Sequence, residues 1–132
     1  MIQEKKFEIS RSKPGRSLLQ IHLKEIVDLM RGEKPLHPYV VEIEPGMVAG
    51  NHYHENKLEV FQVLAGKAMI QLENLESGEK IEEPLEANGR AIFIPTRVAH
   101  AVRNIGVQNL ILMVWASQPA RVVEDDYEYK VL

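Results

Sequence analysis

The sequence predicts an all-β domain, a sandwich or closed barrel of eight strands with a short helix ahead of it. Three observations predict it. From Pro38 onward the chain is a series of short apolar or alternating runs. Turn-forming groups such as Glu-Pro-Gly, Leu-Ala-Gly, Glu-Ser-Gly, Ala-Asn-Gly and Asn-Ile-Gly punctuate those runs at regular intervals. The chain is 132 residues long, room for one proper core and too short for two.

Taken in order, Ser17 to Lys24 reads as a strand, and Glu25 to Arg31 as a short amphipathic helix that Gly32 stops. The eight strand runs follow: Tyr39 to Glu44, Gly50 to His54, Glu59 to Leu64, Lys67 to Glu73, Lys80 to Leu85, Ala91 to Ile94, His100 to Asn104 and Asn109 to Ala116. Residues 38–117 therefore form the barrel core of a single domain 1–132, with an N-terminal extension 1–37 and a tail 118–132. In the tail, Asp125, Asp126, Tyr127 and Tyr129 alternate polar with aromatic, as an edge strand or a tail crossing to a second subunit would.

Composition narrows the function. Apolar residues at 45% and charged residues at 27% are those of a chain that folds without a partner to wrap. A net charge of -3 from interspersed acids and bases, with no basic stripe, argues against nucleic acid. Without cysteine there is no disulfide framework and no thiolate ligand, so any metal must sit on nitrogen and oxygen. The first 13 residues lack the apolar stretch of a signal peptide and no run reaches membrane-span length, so a cytoplasmic protein without a membrane partner is expected.

The chemistry concentrates between Gly46 and Asn104. Residues two apart on a strand share a face, so His52 and His54 project together while Tyr53 points away. A four-residue turn then brings Glu59 to the start of the next strand, where its carboxylate falls beside the pair. His100 opens a later strand after a turn containing Pro95. Three imidazoles and one carboxylate make a ligand set that suits Zn, Fe, Mn, Ni or Cu and disfavours Ca and Mg. His22 and His37 stand alone and read as ordinary hydrogen-bonded or surface histidines.

These segments resemble the paired motifs of the cupin superfamily, G-x5-H-x-H-x4-E-x6-G and G-x5-P-x-G-x2-H-x3-N. The first is matched by Gly46, His52, His54, Glu59 and Gly66, and the second by Gly89, Pro95, His100 and Asn104. Arg97 stands where the motif has a glycine that serves a tight turn, so the backbone path there, and through it the placement of His100, is the position to check. The resemblance implies a cupin-type double-stranded β-helix (jelly-roll) barrel holding one divalent metal ion on His52, His54, Glu59 and His100.

A finer resemblance, in Gly50 to His54, Glu59 to Ala68, Leu112 to Ser117 and the acidic-tyrosine tail, is to the small cupins that act on nucleotide-linked keto sugars in surface-polysaccharide biosynthesis. It implies an epimerase or isomerase with zinc as the favoured metal, a small-molecule substrate such as a nucleotide sugar, and a homodimer. Cupin 3,4-ketoisomerases share the tail but generally lack the full ligand set. Tyr39, Val41 and Ile43 share one strand face, which makes Tyr39 a candidate base if that face is inward, with a rim aromatic packing on a neighbour as the equal alternative, so no base is assigned. Arg103 and Lys57 are candidates to meet a diphosphate, although both read first as solvated surface charges. The competing functions are a metal-dependent dioxygenase and a non-catalytic ligand-binding cupin.

Overall fold

A computed structural model describes residues 2–120 and 123–131. In chain order the elements are β1 (Glu4–Lys6), β2 (Ile9–Ser10), β3 (Leu18–Leu19), α1 (Leu23–Leu29), β4 (Tyr39–Ile43), β5 (Val48–Tyr53) and β6 (Glu59–Ala65). There follow β7 (Lys67–Asn74), β8 (Lys80–Glu86), β9 (Arg90–Ile94), β10 (Val98–Asn104), β11 (Leu110–Ala116), a 3-10 turn (Val123–Asp125) and β12 (Tyr127–Glu128). Two five-stranded antiparallel sheets, ordered β1-β9-β6-β11-β4 and β12-β5-β10-β7-β8, face each other, and β2 and β3 form a small ribbon apart from them. Among the described residues no helix is long and apolar enough to cross a membrane.

Alternation builds the interior. Leu110, Leu112, Val114 and Ala116 of β11 point inward with partly buried residues between them, and Ala68, Ile70 and Leu72 of β7 face them from the other sheet. Strand β6 is buried on both faces, with Phe61 and Val63 in the main core and Val60 in a second cluster under α1. That second cluster explains the helix: Ile26 and Met30, one turn apart, are fully buried against Val60, Ala91 and Phe93. The helix ends at Leu29, two residues short of the expected Arg31, in a turn with Arg31 and Gly32 at positive φ and the Gly32 amide returning to the Val27 carbonyl at 2.9 Å.

The N-terminal extension differs from the expectation drawn from the sequence. The strand expected over Ser17 to Lys24 shrinks to Leu18–Leu19, because only the two-residue segment Ile9–Ser10 is there to pair with it. The helix accordingly starts at Leu23, two residues earlier than expected. Strand β1 was not foreseen, since its exposed Glu-Lys-Lys carries no apolar pattern and pairs with β9 through main-chain bonds. The tail does form an edge strand: β12 pairs with β5, Tyr127 opposite Tyr53 and Glu128 opposite His52.

One irregularity positions the site. Between β10 and β5 the register steps from His100 opposite His52 to Ala101 opposite Gly50, leaving Asn51 as an extra residue in a bulge with φ 61. Gly50 has φ 101, and a Cβ there would lie 2.7 Å from the His100 carbonyl oxygen. Gly50→Ala is therefore expected to destabilise the fold by about 2 kcal/mol, from positive-φ strain and displacement of β10. Urea unfolding checks this, and a shift well below about 1 kcal/mol would show that the strand gives way freely.

Candidate metal centre

His52 comes from β5 just after the bulge, His54 from the residue following that strand, Glu59 from the first position of β6, and His100 from the middle of β10. The structure brings all four together. One ring nitrogen from each of the three histidines lies within 4.8 Å of the others. Glu59 Oε1 is 3.3 Å from His54 Nε2 and 3.4 Å from His100 Nε2. Ligand atoms held tetrahedrally at about 2.1 Å from one ion lie about 3.4 Å apart, and the two Glu59 separations match that spacing. His54, Glu59 and His100 are buried, and His52 is half-exposed toward the adjoining pocket.

The outer nitrogens settle which atoms face inward. His52 Nδ1 lies 2.9 Å from Asp126 Oδ1, His54 Nδ1 2.8 Å from the Asp125 carbonyl, and His100 Nδ1 3.1 Å from the Val98 carbonyl. Each neighbour is an acceptor, so each Nδ1 donates and each Nε2 presents a lone pair to the centre. His54 Nε2, Glu59 Oε1 and His100 Nε2 are buried and have no hydrogen-bond partner. Buried acceptors gathered without a donor are costly unless a cation sits among them. By that test the donor set fits a divalent metal with nitrogen and oxygen preference.

The electrostatics favour the neutral ligand form at two of the three rings, His52 and His100. Burial pushes His100 down to about 4 against the pull of Glu59, and burial lowers His52 despite Asp126 beside it. Both rings are therefore neutral, as ligands must be. For His54 burial is outweighed by Glu59 and the Asp125 carbonyl, which raise its pKa. Burial alone would raise Glu59, but His54, His100 and Lys57 hold it well below the usual carboxylate range.

The other expected residues fall on different sides of the barrel wall. Tyr39 faces inward with Val41, and its hydroxyl donates to Glu59 Oε2 at 2.7 Å. Burial and Glu59 push its phenol far above the ordinary range, so it keeps its proton at neutral pH. Lys57 is no solvated charge: at 2% exposure it donates to the Tyr39 hydroxyl at 3.0 Å and to the Ala120 carbonyl at 3.4 Å, and lies 3.5 Å from Glu59 Oε2. Arg103 is exposed on β10 next to inward-facing Val102, so it points out of the barrel, away from the site. His22 and His37 are exposed and apart from the cluster.

Arg97 resolves in favour of the motif. It adopts φ 59, the left-handed conformation the glycine would supply, with its amide on the His54 carbonyl at 2.8 Å and its carbonyl on the Leu75 amide at 3.1 Å. Its guanidinium pairs with Glu76 at 3.1 Å and Glu55 at 3.6 Å. The strain of about 1 kcal/mol is tolerated and His100 stays in place. Asn104 is a turn builder: it donates to the Ile43 and Gln108 carbonyls and accepts the Gly106 amide. Sequence reasoning missed the parts played by Asp125 and Asp126, because no spacing rule ties a tail to a site some seventy residues earlier.

A pocket of about 450 Å³ opens from the cluster. Its walls are Val41, Ala49, Phe61, Val102, Leu112 and Val114, with Tyr39, His52, Glu59 and His100 as its polar end. No lysine or arginine lines it among the described residues.

Residues 23–127 match the family of the polysaccharide biosynthesis C-terminal domain. The chain belongs to that family. The domain has the cupin fold, as the motifs implied. Auxin-binding protein 1 of Arabidopsis thaliana is 32% identical over 110 residues, which are 81% of this chain and 52% of that protein. The capsular polysaccharide assembling protein CapF of Staphylococcus aureus is similar at 27% identity and a TM-score of 0.65, over 71% of this chain and 28% of CapF. The domain thus spans about half of the first relative and under a third of the second. QdtA, a sugar 3,4-ketoisomerase from Thermoanaerobacterium thermosaccharolyticum solved with TDP, superposes over 95% of this chain and 85% of its own with a TM-score of 0.77. At 18% identity that likeness concerns the fold.

Proposed function

We propose that the domain is a metal-dependent epimerase or isomerase acting next to the ketone of a nucleotide-linked sugar, with His52, His54, Glu59 and His100 as the metal ligands. The observation that carries this reading is the convergence of inward lone pairs and one carboxylate with no donor among them. The family match, and the ketoisomerase among proteins of the same fold, support the sugar class.

A divalent metal bound there supplies Lewis acidity to a substrate oxygen as negative charge develops on it. The chain's own residues prepare the place. Tyr39 and Lys57 hold Glu59 by its outer oxygen, leaving Oε1 turned to the centre. Tyr39 serves as this fixed donor and not as the base, because its proton is firmly held. The walls beside this polar end are mostly apolar.

Elemental analysis of the protein as isolated is expected to find one divalent metal per chain. The loaded protein, incubated in deuterated water with UDP- and dTDP-4-keto sugars, is expected to place deuterium at a carbon beside the ketone. Absence of exchange across the whole panel sinks the isomerase. Iron or copper as the resident metal, with oxygen consumption, favours the dioxygenase.

The pocket itself favours a second reading, a binding module for a compact organic anion whose oxygen meets the centre while its apolar body fills the barrel. The similarity to a protein named for binding auxin supports it. Binding of an aromatic carboxylate by the loaded protein, with every keto sugar left unchanged, selects this reading.

A further inference from the structure

The tail is tied to the candidate centre more closely than an edge strand requires. The Asp125 carboxylate, itself buried, accepts the backbone amides of Glu55 at 2.8 Å, Asn56 at 3.1 Å and Lys57 at 2.9 Å. Those residues are three of the four that space His54 from Glu59. The Asp125 carbonyl takes His54 Nδ1, and the next residue, Asp126, takes His52 Nδ1. Beyond them the Tyr129 amide bonds the Asn51 carbonyl at 2.9 Å, so the tail also grips the bulge that sets His52 opposite His100.

The geometry points to Asp125 and Asp126 as positioning residues of the metal centre: the C-terminal segment acts as a latch that selects the tautomer and aim of two of its three imidazoles. An acceptor on Nδ1 leaves the lone pair on Nε2 and fixes the ring about its own bond to Cβ. By linkage, whatever the closed latch adds to metal affinity, bound metal returns to closure of the latch. This rests on the proposed metal site, and its test separates the two.

Asp126 has a half-exposed side chain, so Asp126→Ala leaves the core untouched. In the metal-free protein at pH 8, long-range nitrogen–proton NMR is expected to find His52 protonated on Nδ1, and Asp126→Ala to remove that preference. Cobalt(II) titration followed by its visible d–d bands is expected to give about tenfold weaker binding and altered bands, at an unchanged urea midpoint of the metal-free protein. Asp126→Asn keeps an acceptor oxygen and is expected to restore the tautomer and most of the affinity. Metal loading is expected to slow amide exchange at Tyr127 and Tyr129. An unchanged His52 tautomer, or equal cobalt(II) affinity and bands in Asp126→Ala, overturns the latch. A tautomer change in a protein that takes up no metal retains the positioning role and removes the metal reading instead.

Discussion

Glu59→Leu is expected to destabilise the metal-free protein by about 3 kcal/mol and to abolish metal binding. The cause is the company Glu59 keeps. Lys57 is buried, and its ammonium lies 3.5 Å from Glu59 Oε2, its nearby counter-charge. A leucine of similar bulk fills the space but strands that charge, along with the Tyr39 hydroxyl that donates to the same oxygen. Breaking a buried pair from one side leaves the survivor's desolvation uncompensated, whereas removing both charges does not. The double variant Lys57→Met with Glu59→Leu is therefore expected to recover most of the lost stability and none of the metal binding. Urea unfolding reads the first effect, and cobalt(II) titration the second. If the single and double variants prove equally unstable, the cost comes from packing, and the Lys57–Glu59 pair is not its source.

Acid is expected to weaken the metal-free protein by about 2–3 kcal/mol between pH 7 and pH 4. His100 titrates near 6.5 when unfolded and is pushed down to about 4 by burial when folded. Its contribution is therefore whole above about 6.5 and is lost as the pH falls toward 4, where the unfolded chain takes the proton that the fold refuses. Lowered His52 acts in the same direction. His54, raised, acts oppositely and offsets part of the loss, since its proton stabilises the fold at low pH. The depressed carboxyl of Glu59 adds a further loss only below its ordinary value of 4.5. Chelator-treated protein unfolded in urea across this range at constant ionic strength gives the measurement. A flat profile would mean that His100 reaches solvent in the native state. Loaded protein is expected to release its metal over the same interval, because protons compete for the same nitrogens.

Much of this molecule was legible before any coordinates. The barrel strands declared themselves because one buried face imposes period two, as in Leu110, Leu112, Val114 and Ala116. The four candidate ligands were legible because two strand residues two apart must share a face, and because the turn residues around them follow a recurrent spacing. The N-terminal strands were not, since β1 and β2 pair through main-chain groups that every sequence carries. Lys57 read as a surface charge because a lone lysine in a polar turn carries no sign of the acceptors it meets after folding.

The sequence by itself determined the chemistry on offer: nitrogen and oxygen donors, no thiolate, and strands whose alternation aims those donors at one interior. Only the tertiary structure decided how that chemistry is set. It placed Asp125 and Asp126 behind the histidines, put Lys57 and Tyr39 behind Glu59, and turned Arg103 outward. The reason is one of range. Strand period and turn geometry act between neighbours along the chain and can be read from them, whereas the partner of a buried polar group is whichever acceptor packing brings within 3 Å, however far away it lies in sequence.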